Sequence, residues 1–254
     1  MVINRKRLLG FAATLFVIYE IVAFYKIHVL MLDQDCKLRY GCIIAATVFA
    51  WVTLLIELIT ARSEGEWIWN VLFNASDGNL LRIAMIFTLI ADYYMIAIEN
   101  VDNLKGVTVF LGTQLFIFLH IMVNDGSKQS RRWNLILRIC LMIAIAFLAN
   151  TIFGEKSDKL SVISAIYFTN LCVNAIFAHK IGRGGILMTI GLILFALCDI
   201  NVGLLGLSSI YADGVDEGTL LYTLTNTGVD LMWLFYIPSQ TIIPLTILIK
   251  PKSR

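Results

Sequence analysis

The sequence predicts an all-α integral membrane protein, a bundle of about eight transmembrane helices. Composition is the first reason. Apolar residues make up 59% of 254 residues and charged residues only 15%, and the mean hydropathy is +0.81. A soluble domain of this length could neither bury so much apolar surface nor cover itself with so little charge. Run length is the second. Several stretches approach the roughly 20 apolar residues that a helix needs to cross the hydrocarbon core. Backbone polar groups in lipid must pair within their own segment, and these runs lack the alternation of a barrel strand, so each reads as helix.

The spans are expected at 8–28, 40–61, 79–98, 105–123, 133–153, 160–178, 185–206 and 229–249. The basic start, Arg5-Lys6-Arg7, runs into apolar sequence without a small-residue cleavage site, so it reads as a retained first helix. The joints carry turn residues: Ser63-Glu64-Gly65-Glu66, Asn124-Asp125-Gly126-Ser127, Gly154-Glu155-Lys156-Ser157 and Gly182-Arg183-Gly184-Gly185. No linker is long enough to separate one domain from another, so residues 1–254 form a single polytopic domain. The net charge of +2 gives no nucleic-acid surface. The five cysteines are odd in number, lack CxxC spacing and sit mostly in apolar runs, where cysteine acts as a small hydrophobe.

Loop cations orient the chain. With the N-terminus inside, the inner segments hold Arg5, Lys6, Arg7, Arg62, Lys128, Arg131, Arg132, Lys180, Arg183, Lys250, Lys252 and Arg254. The outer segments hold Lys26, Lys37, Arg39, Lys105, Lys156 and Lys159. The excess predicts both termini in the cytoplasm. The segment 207–228, with Asp213, Asp216 and Glu217 and no cation, reads as an external loop.

Ionisable groups deep in a membrane are costly, so each is a candidate for function. Asp92 and Asp199 stand out. Each lies about 20 Å along its span from the inner face at 1.5 Å per residue. Thr88 and Glu99 share the helical face of Asp92, and Ala196, Gly203 and Gly206 that of Asp199, small residues expected to let helices approach. The third and seventh spans are therefore expected as neighbours, with both carboxyls in one polar cavity. Tyr236 and Gln240 lie one turn apart on the eighth span and should line it. Gln114 in the fourth span and Asn170 and Asn174 in the sixth are further polar groups at depth. Any of these residues can equally be interhelical glue. Glu20 ranks third for want of a partner, and Glu57 is near enough to the inner boundary to snorkel. His120 and His179 sit near inner ends, and no His/Cys/carboxylate set has metal-ligand spacing. Neither a metal nor a cofactor is expected.

Three segments together resemble the YhhN-like lysoplasmalogenase family of multi-pass membrane proteins. They are FTLIADYYMIAI (87–98) leading to Gly106 and Phe110, GLILFALCDINVGLL (191–205), and LMWLFYIPSQTIIP (231–244). The family pattern maps onto Ala91-Asp92, Gly106 with Phe110, Phe195 with Cys198-Asp199, and Tyr236 with Gln240. The chain departs from it where Gly and Ser often precede the aspartates, and at Gln114 and Phe118, where the family often has a histidine and an aromatic hydroxyl. The resemblance implies a hydrolase of the bacterial plasma membrane that cleaves the vinyl-ether bond of a lyso-ether phospholipid. Asp92 and Asp199 would be catalytic, with Tyr236, Gln240, Gln114, Asn170 and Asn174 orienting substrate or water. Two alternatives stay open: a lipid- or proton-coupled carrier, and an intramembrane aspartyl protease. Against the protease, Asp92 precedes Tyr93 rather than following a tyrosine, and no Pro-Ala-Leu occurs.

Overall fold

The computed structural model describes residues 4–32, 36–74, 78–153, 158–210 and 220–249, and these form helices joined by turns, with no strand. The helices are α1 (Arg5–His28), α2 (Lys37–Ser63), α3 (Ile68–Leu72), α4 (Asn79–Asp92), α5 (Asn103–Asn124), α6 (Lys128–Phe153), α7 (Lys159–Ala178), α8 (Gly185–Ile210) and α9 (Leu220–Leu245). Seven are long and apolar enough to cross a bilayer, and the 26 residues of α6 are long enough for an eighth. The protein is an all-α multi-pass membrane bundle.

Helices overrun the apolar spans because hydropathy marks the depth of hydrocarbon, whereas backbone hydrogen bonding carries a helix past it. Thus α6 begins at Lys128, before the expected 133, and α9 begins at Leu220 rather than 229. The expected loop 207–228 shrinks accordingly, and Asp213, Asp216 and Glu217 fall outside the described residues. The third span ends differently. Regular helix stops at Asp92, and Tyr93–Ala97 form one wide π-helical turn. Glu99 lies beyond it, exposed in a bend, and so leaves the Asp92 face. The short α3 falls between two expected spans. It carries exposed Trp69 and is flanked by exposed Trp67 and Phe73, and tryptophan is a residue type that sits at a membrane–water boundary.

Six helices close a ring in the order α2, α4, α5, α7, α8, α9 and back to α2, with α1 laid against α2 and α9 and α6 against α7. The α8–α9 interface is the most extensive. In this ring α4 and α8 stand opposite each other, not side by side as expected. Gly203 near Asp199 brings no helix close, since a Cβ there would meet nothing within 4 Å, whereas Ala196 packs against the core.

One end of the ring is locked by charge. Arg82, buried at the start of α4, donates to Glu57 Oε2 at 2.8 Å, to Thr53 Oγ1 at 3.1 Å and to the Ala50 carbonyl at 3.0 Å on α2. Arg5 of α1 reaches the other oxygen of Glu57 at 2.5 Å. Glu57 is therefore a buried ion-pair partner and does not snorkel. The helix feeding this lock starts at Gly78, whose φ of +93° suits glycine, and a Cβ there would come within 3.0 Å of Ile247.

Candidate active site

The ring helices send side chains to a common place toward the end away from Arg82. Asp92 comes at the close of regular α4, where the π turn begins. Such turns occur frequently at functional sites because they re-aim side chains without ending the helix. Gly106 leaves room for the turn against α5: a Cβ there would lie 2.3 Å from Met95 Cγ, which would have to move, and 3.3 Å from the Ala91 carbonyl oxygen.

Two aspartates are each held by a tyrosine from a neighbouring helix. Tyr236 Oη of α9 donates to Asp92 Oδ2 at 2.5 Å. Tyr167 Oη of α7 donates to Asp199 Oδ2 at 2.6 Å. An aromatic chain joins the pairs. The Tyr236 ring lies 5.4 Å from Phe195, Phe195 lies 5.8 Å from Phe110, and Phe110 lies 5.7 Å from Tyr167. Through these rings the Asp92 and Asp199 pairs are connected, and Tyr40 of α2 donates to the Leu89 carbonyl at 3.4 Å, one turn before Asp92. Neither aspartate has a cationic partner among the described residues. Asp92 is buried, whereas Asp199 keeps partial exposure.

No family model matches the chain, and no curated protein or solved structure matches it significantly.

The remaining sequence candidates divide. Gln240 is buried one turn from Tyr236, and its Nε2 has no hydrogen-bond partner. Asn170 and Asn174 accept from Arg138 of α6, and Gln114 accepts from Asn174, so none of the three bonds to either aspartate. Glu20 is buried on α1, outside the ring, with the Cys42 thiol beside it. Thr88 meets Thr113 of α5 at 3.3 Å. Among the described residues, no group of three His, Cys, Asp or Glu side chains is placed to hold a metal ion.

Tyr167, which joins the site, and the buried Arg138 and Arg82, which lie apart from it, are residues that the search for deep carboxyls does not find. Tyr167 does carry a signal, since Tyr167, Asn170 and Asn174 follow i, i+3, i+7 spacing on one face. The two arginines lie within or at the edge of apolar runs, and a search for cations at depth would have found them.

An open hollow of about 640 Å³ lies at the far end of the bundle, lined by residues 100–104 and by Asp158, Lys159 and Leu160. Its floor is the start of α5 and α7, about two helical turns from Phe110 and Tyr167.

Proposed function

We propose that the protein is a membrane-embedded hydrolase that cleaves the vinyl-ether bond of lyso-ether phospholipids with Asp92 and Asp199 as an acid/base pair. The observation that carries this reading is a pair of carboxyls inside one helical ring with no cation to neutralise them among the described residues, each held by a tyrosine hydroxyl and joined through contacting aromatic rings. The family resemblance supplies the substrate class.

The chemistry suits such a pair. A vinyl ether is cleaved when an acid delivers a proton to its β-carbon, which leaves an oxocarbenium ion at the α-carbon. Water adds to that carbon and loses a proton to a base, giving a hemiacetal. The hemiacetal collapses to a fatty aldehyde and a glycerophospho-alcohol, with the proton passing to the departing glycerol oxygen. One aspartate enters the cycle protonated and the other ionised, the division of labour of a glycosidase carboxyl pair. The ionised partner also stabilises the cation. Tyr236 and Tyr167 fix carboxyl orientation, and the apolar ring excludes bulk water.

The deciding experiment is aldehyde release from a panel of lyso-ether phospholipids by purified protein. Wild type should release aldehyde, and Asp92→Asn and Asp199→Asn should each lower turnover by orders of magnitude. Either variant working at near wild-type rate would defeat the paired-carboxyl mechanism. Inactivity of wild type on every lipid would defeat the substrate class.

A further inference from the structure

A second polar cluster lies near mid-depth, between α5, α6 and α7, and its bonding is lopsided. Arg138 is 5% exposed, ten residues into α6. Its Nη1 donates to Asn170 Oδ1 at 2.5 Å, and its Nη2 donates to Asn174 Oδ1 at 2.7 Å and Asn134 Oδ1 at 3.2 Å. Asn174 Nδ2 in turn donates to Gln114 Oε1 at 2.9 Å and to the Gln114 carbonyl at 3.0 Å. Every amide oxygen of the cluster is thereby engaged. The groups left over are all donors: Arg138 Nε, Asn134 Nδ2 and Gln114 Nε2 are buried without a partner. The guanidinium has no carboxylate beside it among the described residues, and its other face lies 4.3 Å from the Phe118 ring centroid.

A lone cation in this environment is expensive. Four neutral amides and an aromatic face spread its charge but do not cancel it, and an uncompensated buried charge is strongly destabilising. Unpaired N–H groups add to the cost. Water would satisfy donors but leave the charge. One negative charge with several lone pairs would answer both deficits.

We propose that Arg138, Asn134 and Gln114 bind a small monovalent anion of halide size. The site's enclosure sets the size. Asn134 and Asn174 are fully buried and Gln114 is 1% exposed, which leaves no opening for a phosphate headgroup. The guanidinium sets the valence at one. The site is distinct from the aspartate cluster, although Tyr167 and Asn170 lie one turn apart on α7. A bound anion would pin α6 to the ring, which it touches chiefly through α7. The proposal does not depend on the hydrolase reading.

The test uses the full chain in detergent with gluconate as the starting anion, exchanged for chloride or bromide at constant ionic strength. Wild type should show a saturable rise in Tm of about 5–10 °C at a hundredfold excess over the dissociation constant. Asn134→Leu and Gln114→Leu, which keep the arginine, should each weaken the response at least tenfold in half-saturating concentration. A wild-type Tm that is equal in gluconate, chloride and bromide would overturn the proposal and leave water as the occupant. An unsaturable rise, or one unchanged in both leucine variants, would overturn it as well.

Discussion

Tyr167 Oη donates a 2.6 Å hydrogen bond to Asp199 Oδ2 across the α7–α8 interface, as Tyr236 does to Asp92 across α4 and α9. The two pairs face one another inside the ring through Phe110 and Phe195. If both act on one reacting centre, their tyrosines should be energetically coupled. Tyr167→Phe and Tyr236→Phe should each lower aldehyde release about 10–100-fold, the value of one hydrogen bond to a charged group. The double variant should lose clearly less than the product of the two. Strictly multiplicative losses would mean that the pairs serve separate purposes.

Gly112 of α5 should tolerate no side chain. A Cβ there would sit 2.3 Å from Phe87 Cδ1, a rigid ring already packed 5.2 Å from Phe116. Gly112→Ala should destabilise the α4–α5 contact by about 1–3 kcal/mol, the usual cost of overpacking, seen as a lower Tm. Gly106→Ala meets the flexible Met95 instead. It should cost less stability but more turnover, since it presses on the turn that follows Asp92.

The Arg82–Glu57 lock predicts a sign. Arg82→Met leaves a buried carboxylate with only the partly exposed Arg5 as counter-charge. It should cost about 3–5 kcal/mol. Arg82→Met combined with Glu57→Met should recover a share of that loss, because both buried charges are gone. Thermal unfolding of the single and double variants in one detergent checks it, and a double variant less stable than Arg82→Met would contradict it.

Outside the membrane, Asp158 caps α7 by accepting from the Ser161 backbone N–H at 2.7 Å and hydroxyl at 2.6 Å. These bonds hold its carboxyl below the ordinary 3.8. A depressed folded value means that the carboxylate's contribution is present above the unfolded value and is lost as pH falls through the folded one. Asp158→Asn keeps a capping oxygen but no charge. It should be less stable than wild type at neutral pH, and the gap should close below about pH 4. A gap that persists in acid would place its cause elsewhere.

The cation excess predicts that both termini and the Arg82 end face the cytoplasm. A cysteine placed at Asp213 should react with an impermeant reagent in intact cells. Reaction only after permeabilisation would reverse the orientation and, with it, the face from which the hollow near Asp158 opens.

The apolar runs are enough to find every long helix, because a residue's cost in hydrocarbon depends mainly on its own chemistry and a span is a sum of such costs. The same logic flags Asp92 and Asp199, and one-turn spacing links Tyr236 to Gln240. Where a helix stops is less local. Nothing in residues 93–97 alone distinguishes a π turn from regular helix without the packing of Met95 against Gly106 in view, and so regular spacing puts Glu99 on the wrong face. Asn170 and Asn174 are legible as polar groups at depth, yet their partner, Arg138, comes from another helix and is not specified by spacing.

The sequence by itself determined that the chain is a membrane bundle, roughly where its long helices run among the described residues, and which carboxyls are out of place in lipid. These are properties of single segments measured against a uniform solvent. Only the tertiary structure decided that α4 and α8 stand across a six-helix ring, that Tyr167 joins the site, that Glu57 is locked by Arg82, and that Asn170 and Asn174 serve Arg138. Those are properties of pairs, set by which faces the helices present to one another once every buried polar group must find a partner in a medium that offers none.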